Sequence, residues 1–281
     1  MKTSTQLKAL IRNLSKKKSI EAEIILRNYM LERLLERISQ SEYRDKFILK
    51  GGMLVAAMVG IDTRSTMDMD ATIKDIAFSE EKLEKALNAI LAYPIDDNVI
   101  MSLKGFENIR DESEYLGVRV SIEAILDKTK QIMKVDITSG DVITPKEIEY
   151  SFKLLFENRT ISILAYNLET VLAEKLETIL SRSTANTRMR DYYDVYILTT
   201  LREHDISWDL FSAAFKKTAV KRGSYKRLNE FGYENIKQIE NSHVLLKFWN
   251  RYQQKNKYVS NLSWQQAIAS MKKLYSRALL K

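Results

Sequence analysis

The hydrophobic pattern changes character once along this chain, and that change limits the folds open to it. Up to about residue 160, short apolar runs alternate with turns and helical stripes. From Asn167 onward the pattern is helical almost without a break, and both prolines, Pro94 and Pro145, lie upstream. The expectation is an α/β (α+β) domain with a mixed, largely antiparallel sheet over residues 1–160, then a helical domain over 161–281. With 281 residues, 45% of them apolar, each part can bury a core.

Ser19 followed by Glu21 and Glu23 reads as a helix start, and Ile20, Ile24, Leu31, Leu34, Leu35 and Ile38 carry an apolar stripe over residues 20–39. Phe47-Ile48-Leu49 reads as a short strand that breaks at Lys50-Gly51-Gly52 and resumes as a helix from Met53 to Val59. Thr66 to Ile73 alternates with period two, which predicts a strand with Asp68 and Asp70 on one face. Ser79 caps a predicted helix over 79–92. Leu116 to Ile125 and Ile132 to Thr138 read as a hairpin around the turn Asp127-Lys128-Thr129-Lys130, with Asp136 between Val135 and Ile137 on its second strand.

Composition narrows the chemistry. Cysteine is absent, which excludes disulfides, thiolate metal sites and thiol nucleophiles. The two histidines, His204 and His243, are far apart, so His-rich zinc sites are absent and a Ser-His-Asp triad has few candidates. Carboxylates, lysine and hydroxyls must carry any reaction. No apolar run reaches signal-peptide or membrane-spanning length, which predicts a soluble, cytoplasmic protein without membrane contact.

The charge of +8 is unevenly spread. Residues 216–281 hold fifteen Lys/Arg against three Asp/Glu, so the rest of the chain is net acidic. Tyr225, Phe231, Tyr233, Trp249, Tyr252, Tyr258 and Trp264 are interleaved with those cations, a composition suited to a polyanion with stackable bases or, alternatively, to the core of a basic helical bundle.

Two carboxylates on one strand face can ligate one or two Mg²⁺ (or Mn²⁺) ions, and a Gly-Gly turn opening a helix brings backbone N–H groups and a positive helix end to phosphate. Asp68 with Asp70, and Lys50-Gly51-Gly52 upstream, form that combination; Asp136 on a neighbouring strand would supply a third acid. On the predicted helix 168–181, Lys175 falls within the apolar face, suited to a phosphate contact across a cleft between domains or to snorkelling at the edge of the stripe. Asp191 and Asp194 share a helical face, where they could orient Lys175 or the arginines; a direct catalytic role beside Lys175, Asp68, Asp70 and Asp136 and simple salt bridging are both open to them.

These segments resemble the AbiE-type toxin nucleotidyltransferases, the AbiEii/AbiGii abortive-infection family related to the MenT toxins within the polymerase-β-like superfamily. The resemblance rests on Gly51-Gly52 followed by Arg64-Ser65-Thr66-Met67-Asp68-Met69-Asp70, on Asp136, on Ala173-Glu174-Lys175-Leu176, and on Arg188 to Asp194. Gly52 departs from superfamily relatives that carry serine there, so a hydroxyl contact to phosphate must come from elsewhere. What the resemblance implies is a polymerase-β-like domain that uses a nucleoside triphosphate, GTP being the one associated with the family, with Lys50, Gly51, Gly52, Arg64, Ser65 and Lys175 at the nucleotide and Asp68, Asp70 and Asp136 at the metal. It further implies transfer to RNA, in the first place tRNA 3′ ends, by the toxin of a phage-defence toxin–antitoxin pair. An antitoxin is then a partner, with no direct contact required. Transfer to a protein or small molecule and a silent RNA- or partner-binding module are the alternatives.

Overall fold

The computed structural model describes residues 3–109 and 117–279; Leu116, where the predicted hairpin begins, lies outside them. The chain divides into two compact units. One comprises everything up to Asp141 together with Glu147–Ala165, and the other comprises Val142–Lys146 and the chain from Tyr166 onward.

The first unit is built on a mixed sheet of strands β1 (Phe47–Lys50), β2 (Met69–Ile73), β3 (Ile100–Ile109), β4 (Gly117–Leu126), β5 (Thr129–Ser139), β6 (Ile148–Lys153) and β7 (Thr160–Ala165), in the order β3-β4-β5-β2-β1-β7-β6. The β2/β5 and β1/β7 pairs are parallel and the other pairings antiparallel, as the sequence pattern led one to expect. Alternation gives the sheet one apolar face: Val118, Val120, Val135, Ile137, Met69 and Ala71 are all buried. Helices α2 (Ala22–Gln40) and α4 (Glu80–Leu91) pack on the sheet, and α3 (Gly51–Val59) packs on β1 and β2. Ser79 caps α4 by accepting from the Lys82 N–H.

Two local expectations need correction. Ser19 does not start a helix: it ends α1 (Ser4–Lys18) in the left-handed region at φ 54°, and α2 begins at Ala22. The lysines at 16–18 are the last turn of α1, where cations suit the negative helix end, so the Ser-Glu pattern after them marks a junction between two helices. The hairpin turn is tighter than predicted. Leu126 pairs with Thr129, leaving Asp127 and Lys128 as the loop, with Asp127 at φ 50°, a conformation that Asp tolerates better than most residues.

Helix α2 is buried on nearly all sides from Asn28 to Ile38, and its charged residues are paired accordingly. Arg37 makes a bidentate pair with Asp97 at 2.7 and 3.0 Å, Arg33 bridges Glu36 and Glu157, and Glu32 accepts from the Leu155 N–H.

The second unit is helical, as predicted: α5 (Leu168–Arg182), α6 (Met189–Leu201), α7 (Trp208–Lys221), α8 (Tyr225–Glu240), α9 (His243–Lys255) and α10 (Trp264–Ala278). Asn167 caps α5, accepting from the Thr170 N–H and donating to the carbonyls of Thr144 and Lys146, which ties residues 142–146 into this unit. Trp249 and Trp264 are core residues whose rings meet at 5.6 Å, and Trp249 donates Nε1 to the Leu262 carbonyl; neither offers a surface for stacking bases. Among the described residues no helix is long and apolar enough to cross a membrane.

Candidate active site

Strand register brings the sequence-predicted acids of the first unit together. Asp70 on β2 lies opposite Asp136 on β5, Asp136 opposite Arg119 on β4, Arg119 opposite Glu107 on β3, and Lys50 on β1 opposite Asp70. Cross-strand neighbours share a face, so Glu107, Arg119, Asp136, Asp70 and Lys50 form one charged row across five strands. Asp68 lies one residue before β2 rather than within it, two positions from Asp70. It is held by the loop around it: Asn28 on α2 donates to the Thr66 carbonyl at 2.8 Å, and the Thr66 hydroxyl donates to the Asp68 carbonyl at 3.2 Å.

The electrostatics of this row are unbalanced. The Asp68 carboxyl is pushed above its ordinary range by burial and then by repulsion from Asp136 and Asp70, which Arg119 and Arg27 do not offset. Arg119 makes a bidentate pair with Asp136, at 2.7 and 2.8 Å, and that bond to Asp136 strengthens the guanidinium's hold on its proton. Lys50 reaches Asp141 at 2.6 Å, and Thr138 donates to the same Asp141 oxygen at 2.5 Å. Although burial alone would raise it, Asp141 is held below the usual carboxylate range by Lys50 and the threonine hydroxyls.

The glycine pair is required by close approach. Gly51 has φ +66°, and a Cβ there would lie 1.9 Å from an Asp70 carboxylate oxygen. The Gly52 N–H points at the same oxygen at 3.3 Å, and a Cβ on Gly52 would come within 2.9 Å of the Thr66 hydroxyl and 3.1 Å of the Arg64 guanidinium. The turn that opens α3 therefore sits directly against Asp70, with Arg64 buried beside it; Ser65 is half-buried, and its carbonyl accepts from Arg64.

In the helical unit, Lys175 on α5 contacts Asp191 at 3.1 Å and Asp194 at 2.6 Å on α6, with side-chain exposures of 11%, 1% and 0%. Arg188 reaches the other Asp191 oxygen at 2.9 Å. Burial alone would raise Asp191, yet Lys175 and then Arg188 hold it below the ordinary range against repulsion from Asp194. Both acids are therefore in ion pairs with Lys175, the geometry of a buried salt-bridge cluster.

Comparison with solved structures finds the same fold in two proteins of Helicobacter pylori. One, a candidate nucleotidyltransferase, matches at 13% identity with TM-score 0.50, covering 92% of this chain and 97% of that one. The other, JHP933, matches at 14% identity with TM-score 0.50, covering 92% and 94%. None of the curated proteins compared with the chain matches it. The family model described as nucleotidyl transferase AbiEii toxin, type IV TA system, matches residues 33–270. The chain belongs to that family.

As an AbiEii-family member it is a nucleotidyltransferase of a toxin–antitoxin system, and the row on the sheet is the place to look for its chemistry. A nucleotidyltransferase of this fold implies a divalent cation. Asp68 and Asp70, two positions apart beside the glycine turn, fit one, because burial of Asp68 and its repulsion by Asp136 and Asp70 are what a cation would offset. Asp136 fits only if Arg119 lets go of it, and among the described residues no group of three His, Asp or Glu side chains stands ready as a metal cage. Arg119, Asp141, Thr138 and Asn28 escaped the sequence reading. Arg119 was open to discovery from the hairpin register alone, since a one-for-one pairing about the Asp127-Lys128 turn sets it opposite Asp136.

Proposed function

We propose that this AbiEii-family protein transfers nucleotides from a triphosphate, GTP being the first to test, to RNA, with tRNA 3′ ends as the leading acceptor, and that it does so in defence against phage with an antitoxin as its counterpart. The observation that carries the reading is the charged row, in which Asp70 lies between the glycine turn and Asp136. Asp68 and Asp70 would hold Mg²⁺ or Mn²⁺, which when bound neutralises triphosphate charge. The Gly51-Gly52 backbone would present N–H groups to phosphate oxygens, with Lys50 and Arg64 bordering that turn and Ser65 next to Arg64 in the chain. The acceptor hydroxyl oxygen bonds to the α-phosphorus, the bond from that phosphorus to the pyrophosphate oxygen breaks, and the hydroxyl proton passes to Asp136 after it parts from Arg119. Arg119, on the same face, is then available to the departing negative charge.

Lys175, Asp191 and Asp194 enter differently. A lysine already bridging two buried carboxylates is committed, so its contribution is to fix α5 against α6 and, through Asp191, to orient Arg188. The basic surplus of residues 216–281 supports RNA as acceptor over a cationic small molecule.

Incubation of the protein with Mg²⁺, each radiolabelled triphosphate in turn and total tRNA tests this beside an Asp68→Ala control. Label in tRNA with wild type alone is the expected result. Triphosphate bound without label transfer would redirect the search to protein or small-molecule acceptors, and no nucleotide binding at all would overturn the reading.

A further inference from the structure

The basic surplus of the helical unit has a focus. A groove of about 380 Å³ runs between the start of α6 and the second half of α9, with Arg188, Arg190, Arg251 and Lys255 as its cations and Phe248 and Tyr252 as its rings; no carboxylate lines it. Arg190, Arg251 and Lys255 are exposed, and Arg251 and Lys255 stand one helical turn apart on α9.

Two members of the groove are fixed from beneath. Arg188 is anchored by the buried Asp191, which Lys175 holds in turn. Tyr252 meets the Tyr258 hydroxyl at 3.0 Å and lies against the core Trp249 at 5.9 Å between ring centres. A half-buried Phe248 completes a ring surface flanked by guanidinium groups. Phosphate alone would need only the cations, and an apolar peptide only the rings. The two together match an unpaired nucleic-acid strand, whose phosphates and base faces alternate.

We infer that this groove binds single-stranded RNA, with Arg188, Arg190, Arg251 and Lys255 at the phosphates and Phe248 and Tyr252 stacking on bases. This rests on, and deepens, the reading of RNA as acceptor. It also gives the Lys175–Asp191–Asp194 cluster a purpose outside the reaction, which is to hold the floor and rim of the groove in place.

The test is fluorescence anisotropy of the full-length protein with a short labelled single-stranded oligoribonucleotide, over a range of salt, without metal or triphosphate. Arg190→Glu with Arg251→Glu is compared with Lys217→Glu with Lys237→Glu, an equal charge change at exposed lysines away from the groove. The groove pair should weaken binding by about ten-fold or more and flatten the salt slope by roughly 0.7 for each phosphate that is no longer neutralised, while the control pair stays near wild type. Melting curves of all four substituted positions should match wild type, since none is buried. An abasic strand of equal length should bind more weakly than the intact one.

Equal weakening by both pairs, no weakening by the groove pair, or no RNA binding by wild type would overturn the inference; so would equal binding of the abasic strand, which would remove the stacking role. Since no transfer occurs in this assay, RNA bound in the groove by a protein that moves no label would leave the groove standing and sink the transfer reading. Label transfer unaffected by the groove pair would sink the groove alone.

Discussion

Each unit of the protein contains a cluster of aspartates, and the two are built on opposite electrostatic terms. In the sheet unit, Asp68 is pushed up by burial and by its acidic neighbours, with Arg119 and Arg27 too weak to compensate. In the helical unit, Asp191 is fully buried and yet held down, because Lys175 and Arg188 outweigh both burial and Asp194. On the function proposed here, an acid pushed up by burial and acidic neighbours would favour an arriving cation, and acids already paired with Lys175 would serve the fold. A motif of acids and one lysine therefore has two meanings in one chain, and the counter-charge decides between them.

Lys175→Met should destabilise the helical unit by about 3–5 kcal/mol, because it strands two buried carboxylates. The chain's three tryptophans, Trp208, Trp249 and Trp264, all lie in that unit, so urea denaturation followed by tryptophan fluorescence reads it selectively. A change under about 1 kcal/mol would mean that the cluster is not the keystone described.

At Gly51 the sheet unit should respond through its site. Gly51→Ala forces a Cβ into the Asp70 carboxylate at an unfavourable φ, at a cost of about 1–3 kcal/mol, and should weaken Mn²⁺ binding as followed by electron paramagnetic resonance. Metal binding as in wild type would show that Asp70 is not a ligand.

Arg119→Met sharpens the same point with a smaller stability change, about 1 kcal/mol or less, since the pair with Asp136 is partly exposed at 35% and 19%. Mn²⁺ affinity should rise once Asp136 is released, and calorimetric titration measures it. An unchanged affinity would take Asp136 out of the metal site.

Glu32 offers a third kind of buried acid. Burial raises its carboxyl from 4.5 to about 8, so its folded-state value exceeds the unfolded one and the folded state prefers the protonated form. Stability from this group is therefore present below pH 4.5 and lost as the pH climbs toward 8. Glu32→Gln keeps an oxygen for the Leu155 N–H, and its melting temperature should lose that downward slope. A slope that persists would assign the pH dependence to other groups.

What was legible in the sequence was local. The turn at Gly51-Gly52, the period-two run into β2, the Ser79 cap and the helical second half all follow from neighbours a few residues apart. The pairing of Asp70 with Asp136 depends on a parallel match between strands 66 residues apart in register, which no local pattern encodes, whereas Arg119 meets Asp136 through the local hairpin register. Lys50's partner Asp141 lies just past the end of β5, reached through the same sheet. The aromatics were ambiguous for a related reason. For Trp249, stacking on bases and burial in a bundle core were both open; helical rotation turns it inward and brings its neighbour Phe248 to the groove.

The most direct test of this account is the rate of labelled-nucleotide transfer by Asp70→Asn, compared with wild type at a temperature where melting curves show both fully folded. A stable protein whose transfer is lost is the expected result, because Asn keeps an oxygen for the Gly52 N–H while removing the charge between the glycine turn and Asp136. A folded Asp70→Asn protein that transfers nucleotide at the wild-type rate would contradict it.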